Sequence, residues 1–282
     1  MPIDTASTLT VAPDTHLWAE AIGDPALPPL LLIMGANATG VAWPDALVAR
    51  LAERHRVIRY DHRDTGRSTR AFAERPYPIT RLAEDAVAVL DAFGAERAHV
   101  VGMSLGGLLA QLLLLDAPQR LHSATLFCTG PLEADGAPEP PGPSTEVLEL
   151  WARFGEPRDR EADVAFSLEH WRVLSNGAPF DPDEFRALEE RVREHAGHDE
   201  PTIAHALADP SNLDRGAELA NVRTPTLVVE ALLDPVFPPP NAEYLAQRIP
   251  TARVTTMPRL GHALPSALLP ELATAILART AA

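Results

Sequence analysis

The five residues Gly102-Met103-Ser104-Leu105-Gly106 constrain this chain more than any other stretch of it. A G-x-S-x-G run puts its serine on a turn so sharp that a side chain at either flanking glycine would collide with neighbouring elements. It also holds the serine in a strained backbone conformation. The run carries meaning only where a strand enters it and a helix leaves it. Here His99-Val100-Val101-Gly102 enters as a short apolar strand, and Leu105 to Leu115 leaves as a segment so apolar that it predicts a buried helix. The chain must therefore fold a helix back over its sheet and present Ser104 where strand gives way to helix.

The rest of the sequence supplies that sheet. Leu30-Leu31-Leu32-Ile33-Met34 is a continuous apolar run closed by Gly35, as expected of a strand buried on both faces. Arg56 to Tyr60, Ser123 to Cys128, Thr226 to Glu230 and Ala252 to Thr256 read as further strands. Helical patterns fall between them, from Pro44 to Arg54 and from Thr80, a candidate N-cap, to Phe93, with Gly94 ending the helix. This alternation predicts a mostly parallel sheet with flanking helices, and Thr8 to Ala12 with His16 to Ile22 predicts an antiparallel hairpin on one edge. The pattern breaks at Pro131. A linker rich in Pro, Gly and acidic groups, Pro131 to Pro143, leads into helical segments at Thr145 to Phe154, Glu161 to Leu174, Pro182 to His195 and Pro201 to Ala208. The expected organisation is a core of residues 1–130 and 222–282 with a helical cap inserted over 131–221.

Composition narrows the chemistry. Net charge is −15, and all 24 basic residues are Arg. A surface this acidic disfavours nucleic acid and anionic membranes as partners. The absence of Lys removes Schiff-base chemistry, a Walker-type phosphate loop and a Ser–Lys dyad. One cysteine, Cys128, cannot form an internal disulfide and sits in an apolar run, so it reads as a core residue. Met1 to Thr5 has neither a basic nor an apolar region, so no secretory signal is expected, and a cytoplasmic protein is.

A serine hydroxyl needs an adjacent base, and on this kind of turn its partners follow in the order serine, acid, histidine. Gly261-His262 follows the last strand, where the base is presented. Asp234 follows the strand before it and is placed to hold the second imidazole nitrogen, with Glu230 as the fallback acid. The other histidines lie on early strands or in the inserted helices. His195-x-x-His198-Asp199 has a gap that suits no common metal motif, and a solvated loop is expected there. Two backbone donors should face the oxyanion: the N–H of Leu105, and the N–H of Ala36 in the loop Gly35-Ala36-Asn37. Asn37 reads as a turn residue bonding its own backbone, and the charged stretch Asp61 to Ser68 as the brace of a loop beside the site.

These residues resemble the α/β-hydrolase superfamily and, more narrowly, the methylesterases of anthracycline biosynthesis (the aclacinomycin-type enzymes). The resemblance spans nearly the whole chain. It is carried by Leu31 to Asn37, Trp43-Pro44-Asp45, Val57 to Ser68, Ala86 to Asp91, Arg97 to Gly102, Trp171 to Ser175 and Gly261 to Ser266. It implies that Ser104, Asp234 and His262 match the family's triad and that Ala36 and Leu105 match its oxyanion positions. The family carries Gly in place of Ala36, a change that leaves the N–H donor in place.

The chain is thus expected to be an α/β-hydrolase-fold carboxylic ester hydrolase acting through an acyl-enzyme, on a methyl ester of a bulky, polyketide-like natural product. No cofactor or metal is implied, and the expected partner is a small apolar substrate. Trp151, Phe154, Phe166, Trp171 and Phe180 are candidates both for lining its pocket and for the cap's own core. A lactonase, thioesterase or perhydrolase on the same triad stays open, as does a small-molecule receptor on the same fold. Epoxide hydrolases and haloalkane dehalogenases need a carboxylate where Ser104 stands.

Overall fold

The computed structural model describes residues 6–136 and 139–281. Met1 to Thr5, read above for a secretory signal, and Ala137 and Pro138 of the linker lie outside the described residues. The strands are β1 (Ser7–Ala12), β2 (Thr15–Ile22), β3 (Pro29–Ile33), β4 (Arg56–Tyr60), β5 (Ala98–Met103), β6 (Leu121–Phe127), β7 (Thr226–Ala231) and β8 (Ala252–Met257). They form one sheet in the order β1-β2-β4-β3-β5-β6-β7-β8. β1 pairs antiparallel with β2, and β2 with β4; every other pair is parallel.

Side chains of β3 divide the interior in two. Leu31 and Ile33 pack on one face, against α2 (Thr80–Ala92), α3 (Leu105–Asp116) and α8 (Asn241–Arg248). Leu30 and Leu32 pack on the other, against α1 (Asp45–Ala52) and α9 (Leu269–Thr280). All four are fully buried, at about 1.5–3 kcal/mol of hydrophobic stabilisation each. This strand has no polar face because helices cover both sides of it. The order β4-β3-β5 matters for function. The chain leaves β3 through α1 to reach β4 on one side, then crosses through α2 to β5 on the other. The loops after β3 and β5 therefore diverge, and a crevice opens at the carboxyl ends of those strands.

Between β6 and β7 the chain forms α4 (Thr145–Trp151), α5 (Arg160–Ser175), α6 (Pro182–Ala196) and α7 (Ala204–Leu207). Local chemistry fixes their ends. Asp159 accepts the Ala162 N–H at the start of α5, and left-handed Asn176 closes it. Pro182 opens α6 and left-handed Gly197 ends it. The insertion's apolar interior includes Leu150, Phe166, Leu174 and Phe185, and it is completed by Val236 and Ala263 from the loops after β7 and β8. Arg191 of α6 ties it to the start of α1 through Asp45, 2.8 Å away.

Two local readings change. Thr80 is the first residue of α2 and caps nothing; the Ile79 N–H before it donates instead to the Asp209 carbonyl, at 3.0 Å, so a tertiary contact replaces the cap. The segment Pro201 to Ala208 contributes only the single turn of α7, since Pro201 to Ile203 precede the helix.

Candidate active site

Ser104 sits between β5 and α3 with φ 56° and ψ −122°. This backbone conformation is costly for a residue with a side chain, by roughly 1–3 kcal/mol, and persists only where packing imposes it. The packing is visible at the two glycines. A Cβ at Gly106 would lie 2.0 Å from the Ile33 carbonyl oxygen, and one at Gly102 would lie 2.2 Å from the Gly106 oxygen. The turn is pinned from both ends: the Ser104 N–H donates to the Phe127 carbonyl, 3.1 Å away, and the Ser104 carbonyl accepts the Gly107 N–H at 2.9 Å.

His262 and Asp234 come from the loops after β8 and β7. The His262 Nδ1 lies 3.0 Å from each oxygen of the Asp234 carboxylate, and both residues are buried. An ionised carboxylate only accepts, so Nδ1 carries the proton and Nε2 is the free acceptor. Asp234 also accepts the Val236 and Phe237 N–H groups, at 2.8 and 3.0 Å. Burial alone would raise its pKa; the His262 imidazole and those two N–H groups outweigh burial and hold the carboxyl below the usual Asp value. Glu230, the fallback acid, instead accepts the Thr256 hydroxyl at 3.1 Å from within β7.

Cys128 is the first residue after β6, and its thiol donates to the Gly261 carbonyl at 3.3 Å. Its sulfur and the ligand atoms of Asp234 and His262 lie within 4.8 Å of one another. Burial pushes the thiol pKa well up, and the Asp234 charge adds to this, so a thiolate is disfavoured. The trio is therefore a poor cation cage. Cys128 is a core residue, as read, but it also packs against the Asp–His pair.

Among the described residues neither the Ala36 N–H nor the Leu105 N–H has a hydrogen-bond partner. Leu105 opens α3, where backbone N–H groups lack intrahelical acceptors and the helix dipole favours negative charge. Ala36 follows Gly35, where a Cβ would lie 3.2 Å from that of Ser104. The loop is held from the insertion. The Asn37 N–H donates to Nδ1 of His205, at 2.8 Å; the Asn37 side-chain oxygen accepts the His205 N–H at 3.2 Å; and the His205 Nε2 meets the Arg63 carbonyl at 2.9 Å. Burial, with His62 beside it, pushes the His205 pKa down to about 3, so the ring is neutral. His62 lies edge-on to it and bonds the Met34 carbonyl through Nε2, at 3.0 Å. Asn37, at φ 59°, is a turn residue as expected, but its partner is His205 and not its own backbone.

A cavity of about 290 Å³ lies between this loop and the insertion. Ala36, Asn37, Thr65 and Gly66 line it on the core side; Phe154, Phe166, His170 and Trp171 line it on the insertion side. Ser104 and Leu105 are partly exposed but do not line it, and neither does His262; of the triad and oxyanion candidates, Ala36 is the one that does. The five insertion aromatics divide. Trp151 and Phe180 do not line the cavity: Trp151 donates its indole N–H to Nε2 of His170 at 3.2 Å, and Phe180 stacks on Phe185 at 5.1 Å.

The Asp61 to Ser68 stretch braces this region. Asp61 accepts the Gly40 and Arg67 N–H groups, at 2.7 and 2.9 Å, and Asp64 accepts those of Ala71 and Phe72. His195 was expected in a solvated loop. It is buried in the last turn of α6, with Nε2 2.7 Å from Asp61, because a fully buried carboxylate needs a partner that the core strands do not supply. His198 is half-buried, lines the cavity and meets Arg70 through its Nε2, at 3.1 Å.

The chain belongs to the α/β-hydrolase fold family, whose pattern matches residues 28–265. It is 48% identical to rhodomycin D methylesterase DauP of Streptomyces sp. (strain C5), an alignment covering 95% of this chain and 96% of that protein. It is 47% identical to rhodomycin D methylesterase DnrP of Streptomyces peucetius, over the same shares. Among solved structures, a hydrolase from Pseudomonas aeruginosa superposes with a TM-score of 0.75 at 29% identity, covering 98% of both chains. The predicted class, a carboxylic ester hydrolase of this fold resembling anthracycline methylesterases, agrees with these relatives. No helix among the described residues is long and apolar enough to cross a membrane.

Sequence reading missed His170 and His205. Both lie on inserted helices with no motif around them, and their partners are remote in the chain. The available signal was slight: His205 stands in the apolar stretch Ile203 to Ala208, and His170 has Leu168 two residues before it and Trp171 directly after it.

Proposed function

We propose that the chain is a serine hydrolase that cleaves the methyl ester of a polycyclic, polyketide-like acid through an acyl-enzyme. Ser104 attacks the ester carbonyl while Nε2 of His262 takes its proton. Asp234 keeps the imidazole in the required tautomer and stabilises the imidazolium. The Ala36 and Leu105 N–H groups bind the oxyanion. His262 then protonates the departing methoxide, methanol leaves, and water repeats the sequence on the acyl-Ser104 ester to release the acid. The helical insertion 131–221 acts as a cap over the acyl group. A cytoplasmic location belongs to the same reading.

One observation carries the chemistry: a buried Asp234 grips Nδ1 of His262 with both oxygens at 3.0 Å, at the same carboxyl edge of the sheet as the strained Ser104 turn. The substrate class rests on the likeness to two methylesterases and on the aromatic cavity wall. Methanol release from methyl anthraquinone-2-carboxylate is the test. Turnover that disappears with Ser104→Ala is expected. Rapid hydrolysis of lactones or thioesters, with methyl esters untouched, overturns the substrate and leaves the nucleophile standing.

A further inference from the structure

We infer that His170 reads the substrate: its Nδ1–H donates a hydrogen bond to an oxygen on the acyl skeleton, a ring carbonyl or hydroxyl near the ester. This rests on the esterase reading above. His170 lies on α5 one turn before Leu174, whose carbonyl accepts the His262 N–H at 2.8 Å. Residues four apart share a helix face, so the ring, which lines the cavity, lies on the side of α5 that carries Leu174, near enough to His262 to feel its charge. Its own contacts are aromatic. Phe154 meets it edge-on with centroids 5.1 Å apart, and Trp171 stacks on it at 6.0 Å.

An imidazole in such a setting needs a reason. The Trp151 indole is a donor only, so its bond to Nε2 leaves that nitrogen unprotonated and places the ring proton on Nδ1. Burial, with the His262 charge adding to it, pushes the ring's pKa down to about 4. At neutral pH the ring is therefore a neutral donor and no proton carrier. Among the described residues Nδ1 has no hydrogen-bond partner, and it is not one of the sealed polar atoms. The open space beside the ring is the cavity it lines. A phenylalanine would pack as well among these aromatics; the imidazole differs by one fixed N–H facing the place where the acyl group sits. Three aromatic neighbours, Phe154, Phe166 and Trp171, accept any flat skeleton, so this donor separates an oxygenated ring system from a hydrocarbon of the same shape. Trp151, which does not touch the cavity, acts through His170 as a positioning residue.

The test measures binding and so is independent of turnover. In Ser104→Ala protein, quenching of tryptophan fluorescence gives the affinities of methyl anthraquinone-2-carboxylate and methyl anthracene-2-carboxylate. The quinone should bind about tenfold more tightly, as one net hydrogen bond allows. Adding His170→Phe should remove that preference by weakening the quinone alone. Adding His170→Asn, which keeps a side-chain N–H, should retain part of it, and Trp151→Phe should reduce it by freeing the tautomer. Equal affinities in the parent, a preference that survives His170→Phe, or equal weakening of both esters would each overturn the inference. Should the preference hold while the unmutated enzyme leaves methyl esters intact, the methylesterase reading fails and the role of His170 stands.

Discussion

At the scale of single residues, the proposed mechanism requires Ser104, His262 and Asp234 to act as one unit. Ser104→Ala or His262→Ala should each lower ester turnover by roughly 10³-fold or more, and the double variant should lose little further, because neither group works without the other. Steady-state rates on p-nitrophenyl acetate check this; losses that simply multiply would mean the two do not cooperate. These residues were legible in the sequence because their signals are local. Two glycines flank the serine, one precedes the histidine, and the aspartate follows a strand. His205 and His170 were not. His205 makes its hydrogen bonds to Asn37 across 168 residues, and His170 takes its tautomer from Trp151 on another helix. A helical sequence does not say which of its polar residues faces a distant loop.

At the scale of elements, the loop after β3 is set by a helix from the insertion. His205 accepts the Asn37 N–H, and in the proposed mechanism the loop so held offers the Ala36 N–H to the oxyanion. His205→Phe removes that acceptor, so kcat should fall about tenfold with KM little changed, as expected when a transition-state donor is displaced. A rise in KM with unchanged kcat would place the loop in substrate binding instead. The cavity aromatics give a second test. Trp171 lines the cavity, and its indole N–H donates to Glu189 at 2.7 Å. Trp171→Ala should weaken a large polycyclic ester by the order of a few kcal/mol while leaving p-nitrophenyl acetate nearly untouched. Equal losses on both would assign Trp171 to holding the insertion together. Strand and helix positions were readable from apolar runs and their periodicity. The division of the aromatics was not: Phe166 and Trp171 line the cavity while Trp151 and Phe180 do not, and that depends on how α4, α5 and α6 cross.

At the scale of the whole molecule, buried neutral imidazoles couple folding to pH. Burial lowers the pKa of His62 to about 4, despite the bond to the Met34 carbonyl, and that of His205 to about 3. In the unfolded chain both titrate near 6.5. As pH falls below that value the unfolded state binds protons that the folded state refuses, so stability is full above about 6.5 and is lost progressively towards pH 4. The loss is about 1 kcal/mol per histidine over the first pH unit below 6.5, which for two groups lowers Tm by roughly 3–4 °C between pH 6.5 and 5.5. The net charge of −15 relaxes over the same range and opposes the effect, so the scan belongs at high salt, where surface repulsion is screened. A flat Tm there would mean these rings are not held neutral. The proposed chemistry rests on one nucleophile, and reaction with a fluorophosphonate followed by intact-mass and peptide analysis tests it most directly. The folded enzyme should take up a single adduct, located on Ser104, with none in Ser104→Ala and slow labelling in His262→Ala. An unlabelled enzyme that still hydrolyses esters, or an adduct elsewhere on the chain, would contradict the serine mechanism.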